Sequence, residues 1–82
     1  MTTIRVRLFA RARELAGTDA VAVELAGAAT VGALRRRLAE QLPALAGLLP
    51  RCAVAVNEEF AGDGAAIPPG AEVALLPPVS GG

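Results

Sequence analysis

From Thr3 to Phe9 the chain alternates, with Ile4, Val6 and Leu8 on one side and Arg5, Arg7 and Phe9 on the other. That is the period of a half-buried strand. Phe9, a large ring on the arginine side, admits two readings: it packs under the next segment, or it meets a partner. The period then changes. Ala10 to Ala16 is rich in helix formers and closes on Gly17, which predicts one or two helical turns, with Thr18-Asp19 as the following turn. Ala20 to Leu25 alternates again, Val21, Val23 and Leu25 against Ala22 and Glu24, and the tight connection predicts antiparallel pairing with the first strand. Ala26 to Ala29 reads as a loop and Thr30 as the N-cap of the main helix. Val31, Leu34, Leu38 and Leu42 recur at spacings of 3, 4 and 4, which predicts a helix from Val31 to about Leu42. Gly32 weakens its first turn slightly and Pro43 ends it.

The second half is shorter in its rhythms. Ala44 to Pro50 is an apolar loop with a helical turn, in which Leu45, Leu48 and Leu49 cover one end of the core. Cys52 to Asn57 reads as a short buried strand, with Cys52, Val54 and Val56 in phase. Asn57-Glu58-Glu59 is a turn and Phe60-Ala61 a short strand or bridge. Gly62-Asp63-Gly64 and Pro68-Pro69-Gly70 carry turn chemistry. Ala71 to Leu76 is the last strand, with Val73 and Leu75 facing the core and Leu76 the opposite side. A hairpin, a helix and then further strands completing one mixed sheet give an α+β domain of ubiquitin-like β-grasp type, with the main helix across one face. That topology makes the first and last strands central, parallel neighbours. It places Phe9, Phe60 and Leu76 on or near the face away from the helix, as a candidate docking patch. Residues 1–76 form the domain, and 77–82 form a protruding, flexible C-terminal Gly-Gly tail.

Composition narrows the chemistry. Eighty-two residues make one small domain, and 54% of them are hydrophobic, a surplus that leaves apolar surface for a partner. No apolar run reaches the length of a membrane span, and no signal-peptide region precedes the first strand, so a cytoplasmic protein without membrane contact is expected. Eight basic and eight acidic residues cancel, which leaves no electrostatic footprint for nucleic acid. Every basic residue is arginine, so the chain has no lysine to accept an isopeptide bond itself. There is no histidine and a single cysteine, so histidine-dependent metal sites and triads, an internal disulfide and a four-cysteine cluster are all excluded. Cys52 reads as a small core residue with no base to activate it. Arg35, Arg36 and Arg37 read as a solvated helix face in preference to a phosphate or acidic-partner site, as do Arg11, Arg13 and Glu14. A free-standing enzyme has little to work with here.

The ending is the informative stretch. Val73-Ala74-Leu75-Leu76 runs into Pro77-Pro78-Val79-Ser80-Gly81-Gly82. Neither proline can continue a central strand, so pairing is expected to stop at Leu76 and the tail to leave as an arm. Extended, its six residues reach roughly 20 Å. Gly81 and Gly82 carry no side chains and fit a narrow channel, with Ser80 before them. A terminal carboxylate on Gly82 is a poor electrophile until a partner activates it, for example as an acyl-adenylate.

Leu8-Phe9-Ala10 with Arg13-Glu14-Leu15-Ala16-Gly17-Thr18-Asp19, then Ala55-Val56-Asn57, and then Gly70 to Ala74 running on to Pro77-Pro78-Val79-Ser80-Gly81-Gly82 resemble the small, sulfur-carrying subunit of molybdopterin synthase. The resemblance runs the whole length, and the ending is its specific part. It implies that an E1-like adenylating enzyme uses ATP to adenylate Gly82, while the chain itself binds no cofactor. A sulfur donor protein then makes the thiocarboxylate, and the tail enters the large synthase subunit to give sulfur to a cyclic pyranopterin precursor. Gly82 carries the sulfur, Gly81 supplies access, Pro77 and Pro78 aim the arm, and Phe9, Phe60 and Leu76 meet the large subunit. A heterotetramer of two small and two large subunits is implied by the family alone. The family often has aromatics where this chain has Leu75 and Leu76. Other carriers of this fold serve thiamine synthesis or tRNA thiolation. A ubiquitin-like protein modifier and a plain interaction module are the readings from other classes.

Overall fold

The computed structural model describes residues 2–78. Five strands and two helices follow in the order β1 (Thr2–Leu8), α1 (Ala10–Ala16), β2 (Ala20–Leu25), α2 (Val31–Gln41), β3 (Ala53–Val56), β4 (Glu59–Ala61) and β5 (Val73–Leu76). Short 3-10 turns at Pro43–Leu45 and Leu49–Arg51 occupy the stretch after α2. The strands form one mixed sheet in the order β2-β1-β5-β3-β4. β1 and β5 pair in parallel, Val6 opposite Val73, and every other pairing is antiparallel. The expected α+β architecture is present, including the central parallel pair.

Period decides which residues are inside. Ile4, Val6 and Leu8 of β1, Val23 and Leu25 of β2, Val54 of β3, and Val73 and Leu75 of β5 are buried in one cluster with Val31, Leu34 and Leu38 of α2. Leu42, the fourth residue of the helical stripe, packs at the margin. Leu45 and Leu49 close one end, with Leu48 half-buried beside them. Ile67 also joins the core, although it stands between two turn signals and its segment reads only as loop. Its backbone amide donates to the Ala29 carbonyl at 2.8 Å, which ties the loop down.

The start of α2 shows why Gly32 is there. Thr30 caps the helix, its hydroxyl accepting from the Ala33 amide at 3.1 Å. The Val31 and Gly32 amides donate to the carbonyls of Ala65 (3.0 Å) and Asp63 (2.9 Å). The first amides of the helix, which have no partner within it, are thus satisfied by the cap and the loop before Ile67. A Cβ on residue 32 would stand 3.2 Å from the Asp63 carbonyl oxygen. Close approach, and not only helix weakening, is the role of this glycine. Arg35 corrects the expectation of a solvated arginine face. Its Nη1 donates to the Leu49 carbonyl at 2.6 Å and its Nε to Asp63 Oδ1 at 2.8 Å, and its side chain is only 20% exposed. Arg36 and Arg37 remain exposed, as do Arg11, Arg13 and Glu14.

Several boundaries differ from the alternation pattern. β1 ends at Leu8, because the chain turns at Phe9 and Ala10 takes a φ of 50° to enter α1. Cys52 precedes β3 and closes the second 3-10 turn. Asn57 (φ 50°) and Glu58 (φ 69°) make a two-residue hairpin turn of the type that matches strand twist, so Glu59 belongs to β4 and not to the turn. Ala71 and Glu72 precede β5, because Asn57 engages Glu72 in their place: the Asn57 amide donates to the Glu72 carbonyl (2.7 Å) and Asn57 Oδ1 accepts from the Glu72 amide (3.0 Å).

Candidate functional site

The sheet face opposite α2 is floored by small residues. Ala22 of β2, Ala74 of β5 and Ala53 and Ala55 of β3 take the positions that alternate with the core residues of those strands. Three large apolar side chains stand around that floor. Phe9 leaves the end of β1 in an extended conformation and is 37% exposed. Phe60, on the edge strand β4, lies opposite Ala55 and is 77% exposed. Leu76 ends β5 on the side opposite the buried Leu75 and is half-buried. All three line one shallow groove with Ala55 and Ala74 as part of its bottom. Two aromatic rings exposed around a concave floor leave apolar area with no partner within the domain.

Charge surrounds the groove unevenly. Arg7 lines it, with its guanidinium 5.4 Å from the centroid of the Phe9 ring, within reach of a cation–π contact. Glu58 and Glu72 line it too, held by the Asn57 turn. Arg7, Glu58 and Glu72 are missing from the sequence reading of the patch. Arg7 had a visible signal, since it alternates in phase with Phe9. Glu72 had the same signal, in phase with Leu76 along the last strand, while the contact between Asn57 and Glu72, residues fifteen apart, had none.

Pro77 and Pro78 follow β5 directly, Pro77 half-buried and Pro78 exposed, and strand pairing stops at Leu76. Ser80, Gly81 and Gly82 lie outside the described residues. Cys52 is a core residue, 4% exposed, with its Sγ 3.4 Å from the Leu48 carbonyl oxygen. Burial pushes its thiol above the usual range, against a smaller opposing pull from the Arg35 charge. That is the reverse of what a nucleophilic thiol needs. Among the described residues, no group of three His, Cys, Asp or Glu side chains is placed to hold a metal ion. No helix among them is long and apolar enough to cross a membrane. The described part of the chain thus presents an exposed apolar groove beside the point where the chain leaves β5.

Known proteins identify the family and the fold. The ThiS family model matches residues 6–82. The molybdopterin synthase sulfur carrier subunit of Escherichia coli (strain K12) is 42% identical over 81 residues, covering 96% of this chain and 99% of that protein. The crystal structure of small archaeal modifier protein 1 from Haloferax volcanii superposes with a TM-score of 0.85 at 36% identity, covering 96% of this chain and all of that one. A chain from the complex of subunits 1 and 2 of molybdopterin-converting factor from Helicobacter pylori shares the fold at a TM-score of 0.69 and 23% identity, covering 99% of this chain and all of that one. The chain belongs to the ThiS family, has the ubiquitin-like β-grasp fold, and is a relative of the sulfur carrier subunits of molybdopterin synthase.

Proposed function

We propose that this chain is the sulfur carrier subunit of a molybdopterin synthase and that Gly82 is the carrier residue. The observation that carries the reading is the family match, which runs through Gly82, together with a relative of that name aligned over 96% of the chain. In the proposed cycle a Gly82 carboxylate oxygen attacks the α-phosphorus of ATP on an E1-like adenylating enzyme, and pyrophosphate leaves. The outer sulfur of a donor protein's persulfide attacks the acyl carbon and expels AMP. A thiol then cleaves the resulting acyl disulfide, leaving the donor sulfur in a disulfide with that thiol and releasing the thiocarboxylate. Sulfur is a much better nucleophile than the oxygen it replaces, so the modified terminus acts as a covalent carrier. The large synthase subunit then supplies orientation and acid–base help while the sulfur moves to the pyranopterin precursor. Phe9, Phe60 and Leu76 dock on that subunit in the cytoplasm, within a heterotetramer of two small and two large subunits. Pro77, Pro78, Ser80 and Gly81 deliver Gly82 to its site.

The test is the intact mass of the protein after incubation with ATP, a cognate adenylating enzyme and a sulfur donor. The expected result is a gain of about 16 Da localised to Gly82, one oxygen replaced by sulfur. An unchanged mass with an active, matched enzyme would overturn the carrier role. Adding the large subunit and the precursor separates molybdopterin from thiamine synthesis or tRNA thiolation. A second reading, a ubiquitin-like protein modifier, draws on the similarity to small archaeal modifier protein 1. It predicts conjugates of this chain on target lysines in a cell lysate, which the carrier role alone does not produce.

A further inference from the structure

We infer that Arg5 and Arg7 form a basic strip beside the apolar trio and receive carboxylates of the large synthase subunit when it docks. The inference rests on the docking reading above and adds the chemistry of the partner's surface.

Its first support is register. A solvent-facing sheet usually sets opposite charges across from one another. Here Arg5 lies opposite Ala22, and Arg7 opposite Ala20 on one side and Ala74 on the other. The one carboxylate on the exposed side of β2, Glu24, pairs with Thr3 instead. Ion pairs among the described residues join Arg11 to Glu14, Arg35 to Asp63 and Arg37 to Glu40, and none involves Arg5 or Arg7. Glu58 and Glu72 line the same groove as Arg7, yet neither is within ion-pairing distance of it. Glu72 lines a second depression with both Arg5 and Arg7, so the two guanidinium groups stand exposed beside one carboxylate, but among the described residues none is within ion-pairing distance of either.

The second support is continuity. Arg7 lines the groove together with Phe9, Phe60 and Leu76, so a body seated on the trio also reaches Arg7. Arg5, two residues earlier on the same side of β1, extends the strip away from the apolar end. The contact over the Phe9 ring gives Arg7 a second task, holding the ring in place for docking. An apolar anchor flanked by arginines that no described carboxylate pairs calls for a surface that is apolar at its centre and acidic at one margin. Arginine offers a planar fork of donors for bidentate contact with such carboxylates.

The test measures association with the large subunit as ionic strength rises, for the unsubstituted protein and for Arg5→Ala/Arg7→Ala, Arg5→Lys/Arg7→Lys and Phe60→Asp. The expected result is that the double alanine variant associates at least about threefold more slowly at low salt and loses most of the salt dependence. The lysine variant should keep the salt dependence, because charge and not shape steers encounter. A double alanine variant with unchanged rate and unchanged salt dependence would overturn the inference while Phe60→Asp still weakens docking, leaving the docking reading intact. If Phe60→Asp docks normally, the docking reading fails and the strip falls with it. If the alanine variant slows association with the adenylating enzyme alone, the large subunit is the wrong occupant and the assignment is overturned. Both arginines are exposed, so an unchanged thermal midpoint checks that every variant is folded.

Discussion

Arg35 is held by two contacts of very different weight. Asp63 is 68% exposed at its side chain, so the ion pair is screened and contributes little. The bond to the Leu49 carbonyl serves a residue that is itself buried, and a charged donor there is worth about 1.5–3 kcal/mol. Arginine and alanine differ little in helix propensity, so an Arg35→Ala substitution reads those contacts almost directly. We expect Arg35→Ala to destabilise by about 1–3 kcal/mol in denaturant titration, and Asp63→Ala to cost clearly less. Equal costs would show that the exposed ion pair matters as much as the carbonyl. Cys52 gives a second residue-scale expectation. Its thiol is buried and raised above its usual range, so it keeps its proton in the fold at pH values where the unfolded chain begins to lose it. Stability therefore declines as pH rises through the ordinary thiol range. A thiol reagent at mildly alkaline pH should label Cys52 slowly in the native protein and rapidly in denaturant. Equal rates would refute the buried assignment. Neither residue's setting was fully legible in the chain. Cys52 reads as core from its phase with Val54, but Arg35 belongs to a run of three arginines, and only the position of the 3-10 turn at Leu49 separates it from its neighbours.

At the scale of elements, three strands supply the groove. Phe9 follows the end of β1, Phe60 lies within β4, and Leu76 closes β5. Their common side was legible from alternation, because each is out of phase with a buried neighbour or stands on the solvent side of its strand. Their proximity was not, because it depends on β5 inserting between β1 and β3. Phe60→Asp removes a ring that is mostly in water, so it should leave the melting temperature nearly unchanged. We expect Phe60→Asp and Leu76→Asp each to weaken large-subunit docking at least about tenfold, the scale of a contact at the centre of an interface. Normal docking by both folded variants would remove the groove from the interface. The same scale holds the main surprises in the elements themselves. Phe60's strand begins one residue early because Asn57 and Glu58 form a two-residue turn, and Ile67 reaches the core because its loop caps α2.

For the whole molecule, the proposed function makes docking and delivery separable: it assigns partner docking to the groove and delivery of Gly82 to the residues after Leu76. A Gly81→Val substitution tests that division, since a β-branched side chain widens the arm and narrows its backbone freedom. We expect Gly81→Val to dock on the large subunit with unchanged affinity while thiocarboxylate formation or product formation is lost. Normal yields of both would show that access at residue 81 is not steric. Removing Gly81 and Gly82 should likewise abolish sulfur transfer and leave docking in place. Full activity after that removal would favour a plain interaction module.

The sequence by itself determined the elements and their inner faces. Two-residue alternation, the apolar spacing of α2, and Gly17, Thr30 and Pro43 at element ends act through neighbours a few residues away, so they are visible in the chain. It also determined the chemistry that is absent, with no histidine or lysine, and the family, through the ending from Pro77 to Gly82. The tertiary structure alone decided what depends on distant residues meeting. The loop at Asp63 fills the space above Gly32, Arg35 turns to Leu49, Asn57 binds Glu72, and Arg7 comes to line a groove with Phe60. Each of these contacts spans many residues of chain, and no local period records which partner the folded sheet will bring.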